Sequence, residues 1–227
     1  MRIAVFTDTH ITPPGRTVQG IDTIARLGLA VAAVQRLAAD AEFCVVMGDL
    51  VEHFEPEAYA ALVEGLAGLP MPVRLMMGNH DDRGMLRAAW PALDDDGDGF
   101  AQAALRHADG TPVLAFMHHP PFAIGTWADR SRLRDAEAVG DIVTAAGNVR
   151  HILMGHTHRA CSGTWRGIGW SVLHGLGPQN ALRWGQDVRP DMRPGPSHLA
   201  MVDFAGGDVV VHVDDISGAH AARPRSA

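Results

Sequence analysis

Short apolar runs alternate along the chain with stretches of helical periodicity. Residues 2–6, RIAVF, form a run short enough for a buried strand. Residues 21–39 then place Ile24, Leu27, Ala30, Val31, Val34 and Leu37 at helical spacing. FCVVM, 43–47, reads as a second strand, and 56–67 as a helix opening on Pro56 with an acidic first turn. Pro72 leads into VRLMM, a third strand. The order βαβαβ implies a parallel or mixed sheet covered by helices.

Beyond it, a short helix is expected near 84–90 and another near 100–107. Between them, LDDDGDG at 93–99 crowds carboxylates around glycine. It lacks the Glu that closes a twelve-residue calcium loop, so it reads as a solvated turn. PVLAFM, 112–117, and HILM, 151–154, read as the fourth and fifth strands, with a helical pattern at 133–146 between them. WSVLHG, HLAMVDF and DVVVHV follow as strands joined by turns, and the last alternates so poorly that full burial is expected. Residues 177–197, rich in Gly, Pro and charge, read as a long loop, and AARPRSA as a loose tail. The division expected is one domain over 1–216 and a flexible tail over 217–227.

Composition adds limits. In 227 residues, 47% are hydrophobic and 20% charged, enough to bury one core. Twenty-six acidic against 19 basic residues leave a net charge of −7. That disfavours general nucleic-acid binding and repels anions, so an anionic substrate needs a local source of positive charge. Cys44 and Cys161 form no CxxC pair and read as buried free thiols. MRIAVFTDTH lacks the features of a signal peptide, and no run approaches the ~20 apolar residues of a membrane span, so a cytoplasmic protein is expected.

Each of the five strands runs into a polar cluster. These are Asp8-Thr9-His10, Gly48-Asp49, Gly78-Asn79-His80-Asp81, His118-His119-Pro120 and Gly155-His156-Thr157-His158. In α/β folds the functional crevice lies beyond the carboxyl ends of strands, so these clusters should meet. Carboxylate, imidazole and carboxamide are N/O ligands of borderline divalent metals. In extended backbone, residues i and i+2 point the same way, pairing Asp8 with His10 and His156 with His158. Seven ligands suit two ions rather than one. Asp8, His10, Asp49 and His158 would hold the first, and Asp49, Asn79, His118 and His156 the second, with Asp49 as the bridge. A bridging water would ionise at neutral pH and attack phosphorus in line with the leaving oxygen. His80, beside a ligand but turned towards substrate, would protonate the leaving alkoxide or stabilise a phosphoryl oxygen. Asp81 could orient a histidine ring. His107, His151, His174, His198, His212 and His220 lack such company and read as structural or surface residues.

Together these motifs resemble the calcineurin-like metallophosphoesterase superfamily, over residues 8–158. The resemblance implies an α/β four-layer αββα sandwich of two mixed sheets flanked by helices. It implies two divalent ions per chain, commonly Mn2+, Fe2+/Fe3+ or Zn2+, and dimers or larger assemblies among members. Gly-Asn-His-Asp-Asp-Arg at 78–83 with His-His-Pro-Pro at 118–121 is similar to the class III cyclic nucleotide phosphodiesterase and glycerophosphodiesterase group. The activity implied is hydrolysis of a small phosphodiester, cyclic AMP or a glycerophosphodiester. A phosphomonoesterase or nucleotide pyrophosphohydrolase on the same metal core is the alternative. A non-enzymatic binding scaffold that keeps the same fold is disfavoured because no motif ligand is lost. Arg83 and His119 are candidates to support a ligand or touch substrate, Arg83 equally a structural ion pair. Only 36 residues separate Asp81 from His118, fewer than in the resembled group. The cleft wall would then come from 119–127 or 175–197, where Trp127 or Trp184 could stack on a base, although core or surface placement is the plainer reading.

Overall fold

A computed structural model of the chain describes residues 1–93 and 110–217. The expected helix near 100–107, nearly all of the acidic turn and the AARPRSA tail lie outside the described residues. The first half alternates as its pattern predicts: β1 (Arg2–Phe6), α1 (Thr23–Leu37), β2 (Phe43–Met47), α2 (Pro56–Leu66) and β3 (Val73–Met76). The α1 helix starts where the Asp22 carboxylate accepts the Ala25 amide at 2.9 Å. Pro56 opens α2, where a missing amide costs nothing. The short α3 (Arg83–Ala89) is capped by Asp82, which accepts the Met85 amide at 2.8 Å.

The second half contains β4 (Val113–Met117), a 3-10 helix (Trp127–Ser131), α4 (Ala136–Ala146), β5 (Val149–Met154), β6 (Cys161–Trp165) and β7 (Ile168–Val172). Then come β8 (Gln179–Asn180), β9 (Met192–Arg193), β10 (His198–Ala205) and β11 (Asp208–Asp215). One mixed sheet has the order β11-β10-β1-β2-β3, the other β4-β5-β7-β6. The pairs β1–β2, β2–β3, β4–β5 and β5–β7 are parallel.

Alternation along each strand separates the layers. Ile3, Val5, Val45 and Met47 face the other sheet and pack with Leu153 and Leu173. Ala4, Phe6, Cys44 and Val46 face the opposite way, into the core formed with Leu27, Val31 and Val34 of α1 and Leu62 and Leu66 of α2. Ile152 and Met154 pack with Phe122 and with Val143 of α4. The layers therefore run helix, sheet, sheet, helix.

Three expectations need correction. DVVVHV is not fully buried: β11 is the outermost strand, and Val210 and Val213 are each 48% exposed. Residues 177–197 are not wholly loop, because β8 and β9 pair within them. Cys44 is a buried free thiol, but Cys161 is only half-buried. Among the described residues, no helix is long and apolar enough to cross a membrane.

Candidate metal centre

The chains leaving β1 and β2 continue side by side past the sheet. The amides of Asp8, His10 and Ile11 donate to the carbonyls of Gly48, Asp49 and Leu50, each at 3.0 Å. From the other sheet, the His156 amide donates to both Asp8 oxygens, at 3.0 and 3.1 Å. The backbone along these segments is not extended. Asp8, His10, Asp49, His156 and His158 all have φ between 45° and 70°, in the left-handed region. Only two other described non-glycine residues, Gln19 and Arg166, share it. The i, i+2 argument for pairing ligands is thus replaced by backbone strain, which is tolerated where surrounding structure fixes it.

Two glycines permit the close approach. A Cβ on Gly78 would collide with Asp49 and lie 2.7 Å from His118 Nε2. One on Gly155 would collide with Thr7 and lie 2.7 Å from Asp8 Oδ2.

Asp8, His10, Asp49 and His158 bring four ligand atoms within 4.8 Å of one another, and all four residues are buried. His10 Nε2 lies 3.0 Å from His158 Nε2, 3.7 Å from Asp49 Oδ2, and His158 Nε2 is 3.6 Å from Asp8 Oδ1. A second cluster joins His118, His119 and His156. Asp49 reaches towards it, with Oδ1 3.2 Å from His118 Nε2. Asn79 is exposed, but its neighbours tie it to the same place: Gly78 abuts Asp49, and the His80 amide donates to Asp49 Oδ1 at 2.9 Å.

Each of the four histidines assigned as ligands uses one ring nitrogen elsewhere. Nδ1–H of His10 donates to Glu52 Oε2 at 2.7 Å, that of His118 to the Met47 carbonyl at 2.8 Å, and that of His158 to the Pro178 carbonyl at 2.5 Å. His156 bonds Ser131 Oγ through Nε2 at 2.8 Å. The opposite nitrogens are the ones left to supply lone pairs to an ion. His118 Nε2 and His156 Nδ1 are buried with no hydrogen-bond partner, which a metal ion would remedy. The donor set and these orphaned nitrogens fit two divalent ions.

Electrostatics agree. Burial alone would raise the Asp49 carboxyl, but His118 and His10 hold it far below the usual carboxylate range. Burial works against protonated His118, yet Asp49 and Asp8 raise it to about 9. Burial, reinforced by His118, pushes His119 down to about 4 and His156 to about 3, so both stay neutral. The buried carboxylates thus draw positive charge to this point, here onto His118 and His10.

Asp81 orients no histidine. It accepts the amides of Gly78 at 2.8 Å, Leu50 at 3.0 Å and Val51 at 3.3 Å, pinning the turns after β2 and β3. Burial raises its carboxyl to about 6. Arg83 is exposed at the start of α3. Two residues escaped the sequence reading. Glu52 secures His10, and its backbone carbonyl accepts His80 Nδ1–H at 2.8 Å. Ser131 secures His156. Glu52 carried a faint signal as an acid shortly after Gly48-Asp49, whereas Ser131 carried none.

A cavity of about 200 Å³ beside the cluster is lined by Glu52, His53, Phe54, Asn79 and His80. A larger one of about 570 Å³, between α2 and α3, contains none of these histidines. On the other flank, residues 119–127 and 175–197 meet where the Gly185 amide donates to the Gly125 carbonyl at 2.8 Å, and just beyond, Arg130 pairs with Asp187 at 2.8 Å. Trp184 is 71% exposed there, whereas Trp127 is half-buried with its ring 6.1 Å from that of His156.

Comparison with known proteins gives a consistent result. A family model described as calcineurin-like phosphoesterase matches residues 1–160. A protein of Rhodopseudomonas palustris named probable cyclic nucleotide phosphodiesterase is 32% identical, covering 93% of this chain and 91% of its own length. The 3',5'-cyclic adenosine monophosphate phosphodiesterase CpdA of Escherichia coli K12 is 24% identical, covering 74% of this chain and 73% of its own. The crystal structure of a dimetal phosphatase from Danio rerio superposes with a TM-score of 0.68 over 95% of this chain and 96% of that one, at 12% identity. That likeness concerns the fold alone.

Proposed function

Because the chain belongs to the calcineurin-like phosphoesterase family, a family of dimetal hydrolases, we propose that it hydrolyses a 3',5'-cyclic nucleotide to the nucleoside monophosphate. The observation that carries this is the convergence of Asp8, Asp49 and four histidines, each histidine with one nitrogen committed and the other turned inward. The names of the relatives support the substrate class.

Two bound ions would lower the pKa of a water and neutralise the phosphoryl oxygens. Asp8, His10, Asp49 and His158 would hold one, and Asp49, Asn79, His118 and His156 the other. The chain's own groups divide the remaining work. Glu52 and Ser131 fix ring orientation and tautomer. His80 keeps Nδ1–H on the Glu52 carbonyl, which leaves Nε2 as the nitrogen to carry a proton to the leaving oxygen. As water adds to phosphorus it gives up one proton to solvent, the bond to one ribose oxygen breaks, and that oxygen takes the His80 proton, which solvent then restores.

Hydrolysis of cyclic AMP, cyclic GMP, bis(p-nitrophenyl) phosphate and p-nitrophenyl phosphate, after loading with Mn2+, Zn2+ or Fe2+, tests the reading. Cyclic nucleotides should be cleaved, and Asp49→Ala should lower kcat at least about a thousandfold, as expected for loss of shared charge stabilisation. A strong preference for the monoester would replace the reading with a phosphomonoesterase.

A further inference from the structure

We propose that the cavity bounded by His53, Phe54, Asn79 and His80 is the nucleoside subsite, with the Phe54 ring as the platform on which the base stacks. The inference rests on the cyclic nucleotide reading above and goes on to place the part of the substrate that does not react.

The argument starts from the connectivity of the substrate. Both ester oxygens of a 3',5'-cyclic nucleotide belong to one ribose. In-line attack requires water to approach opposite the oxygen that leaves. Ribose and base must then lie together on the leaving side. The group placed to protonate the leaving oxygen is His80, and His80 forms one wall of this cavity. The same residue ties the cavity to the metal cluster, since its ring meets that of His10 edge to face with centroids 4.8 Å apart.

The walls suit a flat, mostly apolar ligand. Phe54 is 55% exposed, a large apolar ring standing open at the rim of a polar site. Its loop is held at both ends. The Glu52 amide donates to Ile11 at 3.0 Å, and Glu55 pairs with Arg16 at 2.6 Å, so the ring is presented from a braced turn. A volume of about 200 Å³ accepts a nucleobase while leaving the ribose in the open mouth. The other exposed aromatic near the site, Trp184, lies across the cleft against Gly125. That flank adjoins His156 and carries no group assigned to proton donation.

Stacking of a base on an aromatic ring has a readable effect, roughly tenfold or more on ring truncation. The test compares cyclic AMP with ribose 3',5'-cyclic phosphate, which has the reacting ester and no base. In the wild-type enzyme cyclic AMP should have the lower KM. Phe54→Ala should raise KM for cyclic AMP about tenfold, with kcat within about twofold, and leave the base-free substrate unchanged. Phe54→Trp should restore the preference, and Trp184→Ala should have no such effect. The inference is overturned if Phe54→Ala leaves KM for cyclic AMP unchanged, if both substrates suffer equally, or if Trp184→Ala produces the loss instead. A wild-type enzyme that cleaves bis(p-nitrophenyl) phosphate but neither cyclic phosphate overturns the substrate reading itself, and the subsite with it.

Discussion

Glu52 grips two histidines with two different atoms: its carboxylate takes Nδ1–H of His10 and its carbonyl takes Nδ1–H of His80. A carboxylate behind a ligand histidine raises the basicity of the inward nitrogen. Glu52→Ala should weaken retention of one of two ions by roughly 10- to 100-fold in titration against a chromogenic chelator, with Glu52→Gln intermediate. Unchanged affinity in both variants would remove this role. The contrast between Asp49 and Glu52 also shows what a sequence reveals about single residues. Asp8, His10, Asp49, His118, His156 and His158 could be read because each follows an apolar strand. Glu52 and Ser131 act on partners 42 and 25 residues distant, and only the fold selects those partners. Asp81 was expected to orient a histidine ring, but the amides of Leu50, Val51 and Gly78, beyond the ends of β2 and β3, claim its carboxylate.

At the scale of elements, the ends of strands matter more than the strands. Five of the residues proposed as ligands hold left-handed backbone, where a side chain costs roughly 1 kcal/mol relative to glycine. His158, at φ 52°, gives a clean comparison, because His158→Ala and His158→Gly remove the same imidazole. The glycine variant should be the more stable by about 1 kcal/mol in denaturant unfolding of the metal-free protein. An alanine variant of equal or greater stability would show that the strain has been relieved elsewhere. Strands β1 to β5 were legible because each carries a short, mostly apolar run, buried from Ile3 onward in β1 and from Cys44 onward in β2, though only half-buried through β4. The β6 strand, CSGTW, has three exposed residues and no apolar run to announce it. The pairing of β8 with β9 involves two residues on each side and was too short to read.

At the scale of the whole molecule, His174 and His198 join the two sheets. His174 follows β7 of one sheet and His198 begins β10 of the other, with rings stacked at 4.3 Å and 16°. Burial, with the charges of His198 and Arg159, pushes His174 down to about 4, and burial lowers His198 against the pull of Asp215 and Asp214. In the unfolded chain both titrate near 6.5, so between that pH and about 4 the unfolded state binds more protons. Stability present above about pH 6.5 is therefore lost on acidification through this window. His174 is half-buried, and after allowance for solvent its share is about 1 kcal/mol. His174→Phe should flatten the fall in Tm between pH 7 and pH 5. An unchanged slope would assign the fall to other groups. The net charge of −7 has a second consequence, felt at the outer edge of β11. If two copies joined there, the antiparallel register that places Val210 against Val213 would also set Asp208 opposite Asp215 twice. Each like-charged pair opposes such strand addition by roughly 0.2–1 kcal/mol. The carboxylates flanking β11 thus guard an otherwise adhesive edge against a second copy of the same strand.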